Sequence, residues 1–226
     1  MTDGRQDILT GHVMKDRLAP LWPTEVSRHT FGDISVELNV IKDFDAVLDH
    51  CADEHPNNTD MIPYYAHLWP SAEALGTYLV ETFSSLSGKC VLELGCGLGL
   101  PSILCAKLGA RVIASDFHPD NRHYFEQNAK RNDVPDITYR QLNWATPETE
   151  EIFDIIVGSD LLYEAQQIHS LTHCVKTLLR QGGMFILADP GRDHIQTAMD
   201  VLSSDGFTHR LKVINNTFIV TFRAQA

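Results

Sequence analysis

At 226 residues, with 43% hydrophobic and 21% charged residues, the chain has the size and composition of one globular domain with a sizeable core and room for an extension. Its 30 acidic and 18 basic residues leave a net charge of −12, which argues against nucleic acid as a partner and favours a basic or neutral one. No apolar run reaches the roughly 18 to 20 residues of a membrane helix, and the polar opening Met1-Thr2-Asp3-Gly4-Arg5 carries no signal-peptide core. The expectation is a cytoplasmic protein without a membrane partner. The five cysteines, Cys51, Cys90, Cys96, Cys105 and Cys174, are odd in number and lack CxxC spacing, so they are expected as reduced, small apolar residues.

Met1 to about Pro23 holds scattered apolar positions, among them Val13, Leu18, Leu21 and Trp22, that support no assignment. Ile34, Val36, Leu38 and Val40 then alternate with polar residues, the period of a half-buried strand. Asp43 is placed to cap a short helix through Cys51, with Phe44, Val47 and Leu48 on one face. Asp53 to Asp60 is polar, with Pro56-Asn57-Asn58, and reads as a loop. Residues 1–60 are therefore expected to form an amino-terminal extension on a main domain over 61–226.

That domain opens on Ile62-Pro63-Tyr64-Tyr65-Ala66-His67-Leu68-Trp69-Pro70, two prolines bracketing four rings. Two readings stay open: a core-packing aromatic cluster, or a wall over a ligand with Trp69 against it. Ser71 is placed to cap a helix to about Leu86, with Leu75, Leu79 and Phe83 inward.

Val91 to Leu94 is a short apolar run, right for a buried strand. The glycine-dense Gly95-Cys96-Gly97-Leu98-Gly99 follows, and Pro101 to Leu108 is a helix that Gly109 closes. Gly95 and Gly97 permit positive φ and close backbone approach, and a helix amino end offers unpaired N–H groups. The spacing differs from a dinucleotide fingerprint, whose third glycine would fall on Leu100, and a P-loop would need a Gly-Lys-Ser/Thr that is absent. What stands here is E-x-G-x-G-x-G from Glu93 to Gly99.

Arg111 to Asp116 is a second buried strand ending in an acid, placed either to accept two ribose hydroxyls or to cap a helix from near Pro119 to Arg131. On that helix Tyr124 and Phe125 face inward, while Asn128 and Asn132 are expected in solvent or at its end. Ile137 to Leu142 is a third strand, ending in Asn143-Trp144, an amide and an indole suited to an adenine. Phe153 to Gly158 is a fourth, followed by Ser159-Asp160-Leu161-Leu162-Tyr163. In open α/β sheets ligands gather at the carboxyl ends of strands, so four strand ends aim polar groups at one crevice.

A helix over Ile168 to Leu179 is expected to end at Gly182-Gly183, with Met184 to Asp189 a fifth strand and Ile195 to Ser204 a helix. Leu211 to Ile214 and Thr217 to Phe222 flank Asn215-Asn216, a tight hairpin turn. The pattern is α/β: a mostly parallel sheet with one reversed edge strand. Of the 11 histidines only His169 and His173 share a helical face, and without a third ligand they are expected in solvent, with no metal.

The run Glu93 to Gly99 resembles motif I of the seven-strand, class I S-adenosylmethionine-dependent methyltransferases. With Asp116, Asn143-Trp144 and Asp160-x-x-Tyr163, the chain from about Tyr64 onward is similar to family 16 of that class, largely protein-lysine methyltransferases. Trp69-Pro70 resembles its bacterial members and the lysine methyltransferases of electron-transfer flavoprotein. The resemblance implies a Rossmann-like seven-stranded sheet with an antiparallel C-terminal hairpin, and S-adenosylmethionine as cofactor. It places Glu93 toward the ammonium end of the cofactor. It puts Trp69, Gly95, Cys96, Gly97, Gly99, Asp116, Phe117, Asn143, Trp144 and Ser159 on the cofactor, and Asp160 and Tyr163 in the acceptor pocket. The departure is Asn143, where many relatives carry an acid. Three functions follow: methylation of a protein lysine, methylation of a small amine or heterocycle, or a cofactor-binding module without activity that contacts a partner through its extension.

Overall fold

The computed structural model describes residues 22–54 and 62–225. The unassigned stretch to Leu21, the loop over 55–60 and the boundary at 60/61 lie outside the described residues. The sheet has seven strands, β3 (Cys90–Leu94), β4 (Arg111–Asp116), β5 (Thr138–Gln141), β6 (Phe153–Ser159), β7 (Leu179–Asp189), β8 (Thr208–Ile214) and β9 (Thr217–Arg223), in the order β5-β4-β3-β6-β7-β9-β8. All pairs from β5 to β7 are parallel, and β9 pairs antiparallel with both β7 and β8. The reversed strand is therefore β9, inside the sheet, and β8 is the edge. This corrects the expected reversed edge: β9 is apolar on both faces and is buried, whereas β8 is largely exposed. Asn215 and Asn216 turn the hairpin with φ of 49° and 60°, as a primed turn requires.

Helices cover both faces. On one lie α2 (Pro70–Thr82), α3 (Leu100–Lys107) and α4 (Asn121–Arg131), packed with Val91, Ile155, Val157 and Ile186. On the other lie α5 (Gln167–Leu178) and α6 (His194–Ser204), packed with Leu92, Ile156, Phe185 and Leu187. Pleat alternation puts Glu93 on the face of Val91, under the amino end of α3. From β3 the chain adds β4 and β5 on one side and then crosses to add β6 on the other, which makes the β3/β6 carboxyl ends the topological switch point. Several helix boundaries differ from expectation, and α2 ends at Thr82 rather than near Leu86. Ser71 does not cap α2, because Pro70 takes the first helical position and Trp69 precedes it; the Ser71 side chain is buried. Helix α5 ends at Leu178 rather than at the glycines, because β7 starts at once with Leu179 paired to Phe153.

The expected strand at Ile34 is β2 (Ile34–Ile41), with an unforeseen antiparallel partner β1 (Thr24–Phe31). Strand β1 escapes pattern reading because of its residues only Phe31 is buried. Asp43 Oδ1 accepts from the Ala46 N–H at 3.0 Å and starts α1 (Phe44–Glu54), so Asp53 and Glu54 are helical. The hairpin is fastened by the two asparagines expected in solvent or at the helix end, where Asn132 does stand as the C-cap of α4. Asn128 Oδ1 accepts the Asn39 N–H at 2.7 Å while its amide donates to the Leu98 carbonyl at 3.1 Å. Asn132 exchanges bonds with the backbone of Glu37, 2.9 Å to the N–H and 2.7 Å to the carbonyl. Both side chains are buried, four residues apart in the last turn and C-cap of α4, and act on the free edge of β2 as a short strand would. Each buried backbone group left unpaired costs about 1 to 3 kcal/mol. Asn128→Ala and Asn132→Ala are each expected to lose about 2 to 3 kcal/mol in urea unfolding; a loss under about 0.5 kcal/mol, the size of an ordinary surface change, would remove this account of the hairpin.

Candidate active site

Strand β3 delivers the chain to a turn in which Gly95, Gly97 and Gly99 have φ of 62°, 48° and 85°. Their surroundings separate their roles. A Cβ on Gly95 would lie 2.7 Å from Leu161 Cδ2 and 3.8 Å from the Trp144 ring, and one on Gly97 would lie 3.1 Å from the Tyr65 carbonyl oxygen. Both glycines are half-buried. Gly99 is buried, and a Cβ there would strike the Phe125 ring at 2.6 Å, so its bareness lets the turn pack on α4. Cys96 between them is buried, its Sγ taking a 3.7 Å contact from the Asn121 amide, and burial pushes its thiol well up from the ordinary range.

Two acids flank the turn. Glu93 is 1% exposed, and its Oε2 accepts the Ser102 N–H at 2.9 Å in the first turn of α3. Its Oε1 is buried with no hydrogen-bond partner among the described residues. Burial pushes this carboxyl up to about 8, against the pull of the Ser102 bond and with Asp116 adding to the rise. Asp116 ends β4; its Oδ2 accepts the Gly97 N–H and its Oδ1 the His118 N–H, both at 3.1 Å. Its carboxyl too is raised, by burial foremost. Of the two roles open for Asp116, the helix cap falls away: α4 begins later, at Asn121, and both Asp116 oxygens are taken by turn N–H groups.

The remaining cofactor candidates surround these acids unevenly. Trp144 is half-buried beside Gly95. Asn143 is exposed, with Oδ1 committed to the Ala145 N–H at 2.9 Å. Ser159 ends β6, half-buried, and Phe117 follows Asp116 with 64% of its surface exposed. Trp69 is turned into its own segment, its indole N–H donating to the Tyr64 carbonyl at 3.0 Å and its ring 4.8 Å from His67. The aromatic segment does reach the glycine turn, through Tyr65. That residue is buried, lies 4.6 Å from the His118 ring and 5.8 Å from Tyr124, and sets its carbonyl against Gly97. Tyr65, His118 and Asn121 were not singled out from sequence, where only Tyr65's place in the proline-bracketed run marked it.

Asp160 follows β6 with φ of 58°, uncommon for a residue with a side chain. Leu161, next to it, is the side chain that fills the space over Gly95. Asp160 Oδ1 accepts from Arg192 Nη1 at 2.8 Å, and the same nitrogen donates to Asp189 Oδ2 at 2.9 Å. Asp189, at the end of β7 and fully buried, holds the Gly191 and Arg192 N–H groups on its other oxygen at 2.8 and 2.7 Å. Asp160 Oδ2 is buried without a hydrogen-bond partner among the described residues. Tyr163 is 55% exposed. Asp189 and Arg192 are 29 and 32 residues beyond Asp160, too far for spacing to reveal. His169 and His173 are exposed, and the described residues hold no cluster of His, Cys, Asp or Glu suited to a metal. All five cysteines are buried.

A family model described as lysine methyltransferase matches residues 59–199. The chain belongs to the lysine methyltransferase family. A histone-arginine methyltransferase, METTL23 of Mus musculus, is 35% identical over 126 residues, 53% of this chain and 50% of that protein. An electron transfer flavoprotein beta subunit lysine methyltransferase of Xenopus laevis is 32% identical over 132 residues, 58% of this chain and 53% of that protein. The chain thus spans about half the length of these curated relatives. Among solved structures, magnesium protoporphyrin IX methyltransferase of Synechocystis with bound SAM has a TM-score of 0.58 at 17% identity, covering 81% of this chain and 98% of that one, a likeness of fold.

The cofactor of this lysine methyltransferase family member is S-adenosylmethionine, and the residues present fit it. Two raised acids, Glu93 and Asp116, straddle the turn, and the unpartnered Oε1 of Glu93 calls for a cation or a strong donor. An amino-acid ammonium supplies the cation, and half-buried Gly95 and Gly97 leave room for close approach.

Proposed function

We propose that the chain is an S-adenosylmethionine-dependent N-methyltransferase acting in the cytoplasm on a lysine side chain of a protein. The observation that carries the reading is a pair of buried carboxylate oxygens without hydrogen-bond partners among the described residues, Glu93 Oε1 on β3 and Asp160 Oδ2 just after the adjacent β6, one for each of two cationic groups. The family description and the flavoprotein-directed relative favour lysine as acceptor. The wet ends of β3 to β6 supply the rest: Gly95, Gly97 and Asp116 hold the cofactor, with Trp144, Asn143, Phe117 and Ser159 at its rim.

When bound, the cofactor would supply a methyl group on a sulfonium, to whose carbon a nitrogen with a free lone pair bonds as the carbon–sulfur bond breaks and S-adenosylhomocysteine leaves as a neutral thioether. A lysine with a pKa of about 10.4 is neutral in roughly one molecule in a few thousand at pH 7, a deficit of about 4 to 5 kcal/mol. Asp160 recruits the ammonium form and aligns it, although its charge by itself opposes loss of the proton. Tyr163, exposed three residues further on, orients the amine by accepting a hydrogen bond. Incubating the purified protein with a cell lysate and methyl-labelled cofactor is expected to label protein bands that yield methyllysine on hydrolysis. Methylarginine would contradict the lysine assignment, and label confined to the small-molecule fraction would point to a free amine as acceptor.

A further inference from the structure

We propose that Arg192 is a positioning residue that sets the acceptor's protonation, by halving the negative charge that an incoming amine meets at Asp160. The inference rests on the lysine-directed reading above. Its ground is the arrangement at the ends of β6 and β7. Two carboxylates, Asp160 and Asp189, share one guanidinium nitrogen, and Asp189 also fixes the Arg192 backbone through two N–H bonds. The Asp160 side chain is 10% exposed, that of Asp189 0% and that of Arg192 30%, so the shared cation acts in a medium where charge is weakly screened. Among the described residues Arg192 is the one cation within ion-pair distance of Asp160.

The geometry resolves a conflict. A docking carboxylate attracts an ammonium but raises its pKa, so the better it recruits lysine the less it releases the neutral amine. Two uncompensated carboxylates would make this worse. Arg192 cancels one of them, orients Asp160 through Oδ1 and leaves Oδ2 to the acceptor: enough charge to dock, not enough to hold the proton. The other titratable groups on the elements around it are Tyr163 and Glu164 after β6, Asp193 and His194 at the start of α6, and Glu93 and Asp116 across Leu161 and Gly95. None of the acids among them has a recorded bond to Arg192, so the shared pair is the arrangement that replacement of Arg192 would change.

The test compares wild type, Arg192→Gln and Arg192→Lys, with methyl-labelled S-adenosylmethionine and total soluble cell protein as acceptor, from pH 7 to 10. Arg192→Gln is expected to move the limb of the rate profile that rises with pH up by about one pH unit. Near pH 7.5 that lowers kcat about tenfold, with KM unchanged or lower because the docking charge is larger. Arg192→Lys, which keeps the charge, is expected to keep the wild-type profile. An unshifted limb in Arg192→Gln, with S-adenosylhomocysteine still raising the melting temperature as in wild type, overturns the inference alone. Equal loss at every pH in both variants also overturns it and marks Arg192 as merely structural. No transfer to protein by wild type overturns the functional reading on which it rests.

Discussion

Asp160→Asn is expected to lower turnover on a protein lysine by about ten- to a hundredfold while leaving affinity for S-adenosylmethionine within a few-fold. Asparagine is the informative substitution because it tolerates the left-handed backbone at this position, φ 58°, and keeps a carbonyl oxygen for Arg192. What it removes is charge at the atom now without a partner, Oδ2. A hydrogen bond to a charged group is worth about 1.5 to 3 kcal/mol, which as lost alignment corresponds to the stated range. Asp160→Ala is expected to lose at least about tenfold, with backbone strain of about 1 to 2 kcal/mol added to the loss of charge. Steady-state kinetics with the labelled acceptor, beside calorimetric cofactor titration, separates the two effects. Near-normal turnover in a folded Asp160→Asn protein would remove Asp160 from acceptor docking.

Glu93→Gln is expected to weaken S-adenosylmethionine binding at least about tenfold and to change how stability depends on pH. In the free protein the Glu93 carboxyl stands at about 8 against an ordinary 4.5, because burial penalises its charge. A group raised in the folded state contributes fully below its unfolded value and loses that contribution as pH rises through the folded one. The free protein should therefore lose stability between about pH 4.5 and 8, where the unfolded chain gives up a proton that the folded protein still holds. A cationic ligand favours the carboxylate, so binding should strengthen and release a proton over the same window. Melting temperatures of wild type and Glu93→Gln, with and without cofactor at pH 6 and 8.5, check the sign. The variant should show a flatter decline and a smaller cofactor-induced shift, and an unchanged slope would place the charge elsewhere.

The parallel part of the sheet was legible because β3, β4 and β6 are short apolar runs closed by glycine or a polar residue and β5 lies in an alternating stretch, and all four end on residues that need a ligand or a partner. Position along the chain was enough to gather Gly95, Asp116, Asn143 and Asp160 at one edge. Distance in sequence hid what those residues touch. Arg192 meets Asp160 across two adjacent strands, and Asn128 meets Asn39 across 89 residues, so neither pairing leaves a periodic trace. The hairpin strand β1 was silent for another reason: a strand with both faces largely in water carries no hydrophobic alternation. Trp69 and Tyr65 show the limit of reading a segment by its most conspicuous ring. The indole bonds its own turn while the tyrosine two prolines frame reaches the glycines.

The central claim is that a sulfonium-bearing amino acid seats beside Glu93 and Asp116. Isothermal titration of the purified wild-type protein with S-adenosylmethionine near pH 8, in two buffers of different ionisation enthalpy, tests it most directly. The account expects saturable one-site heat whose difference between buffers corresponds to net proton release. Absence of heat together with an unmoved melting temperature would contradict it.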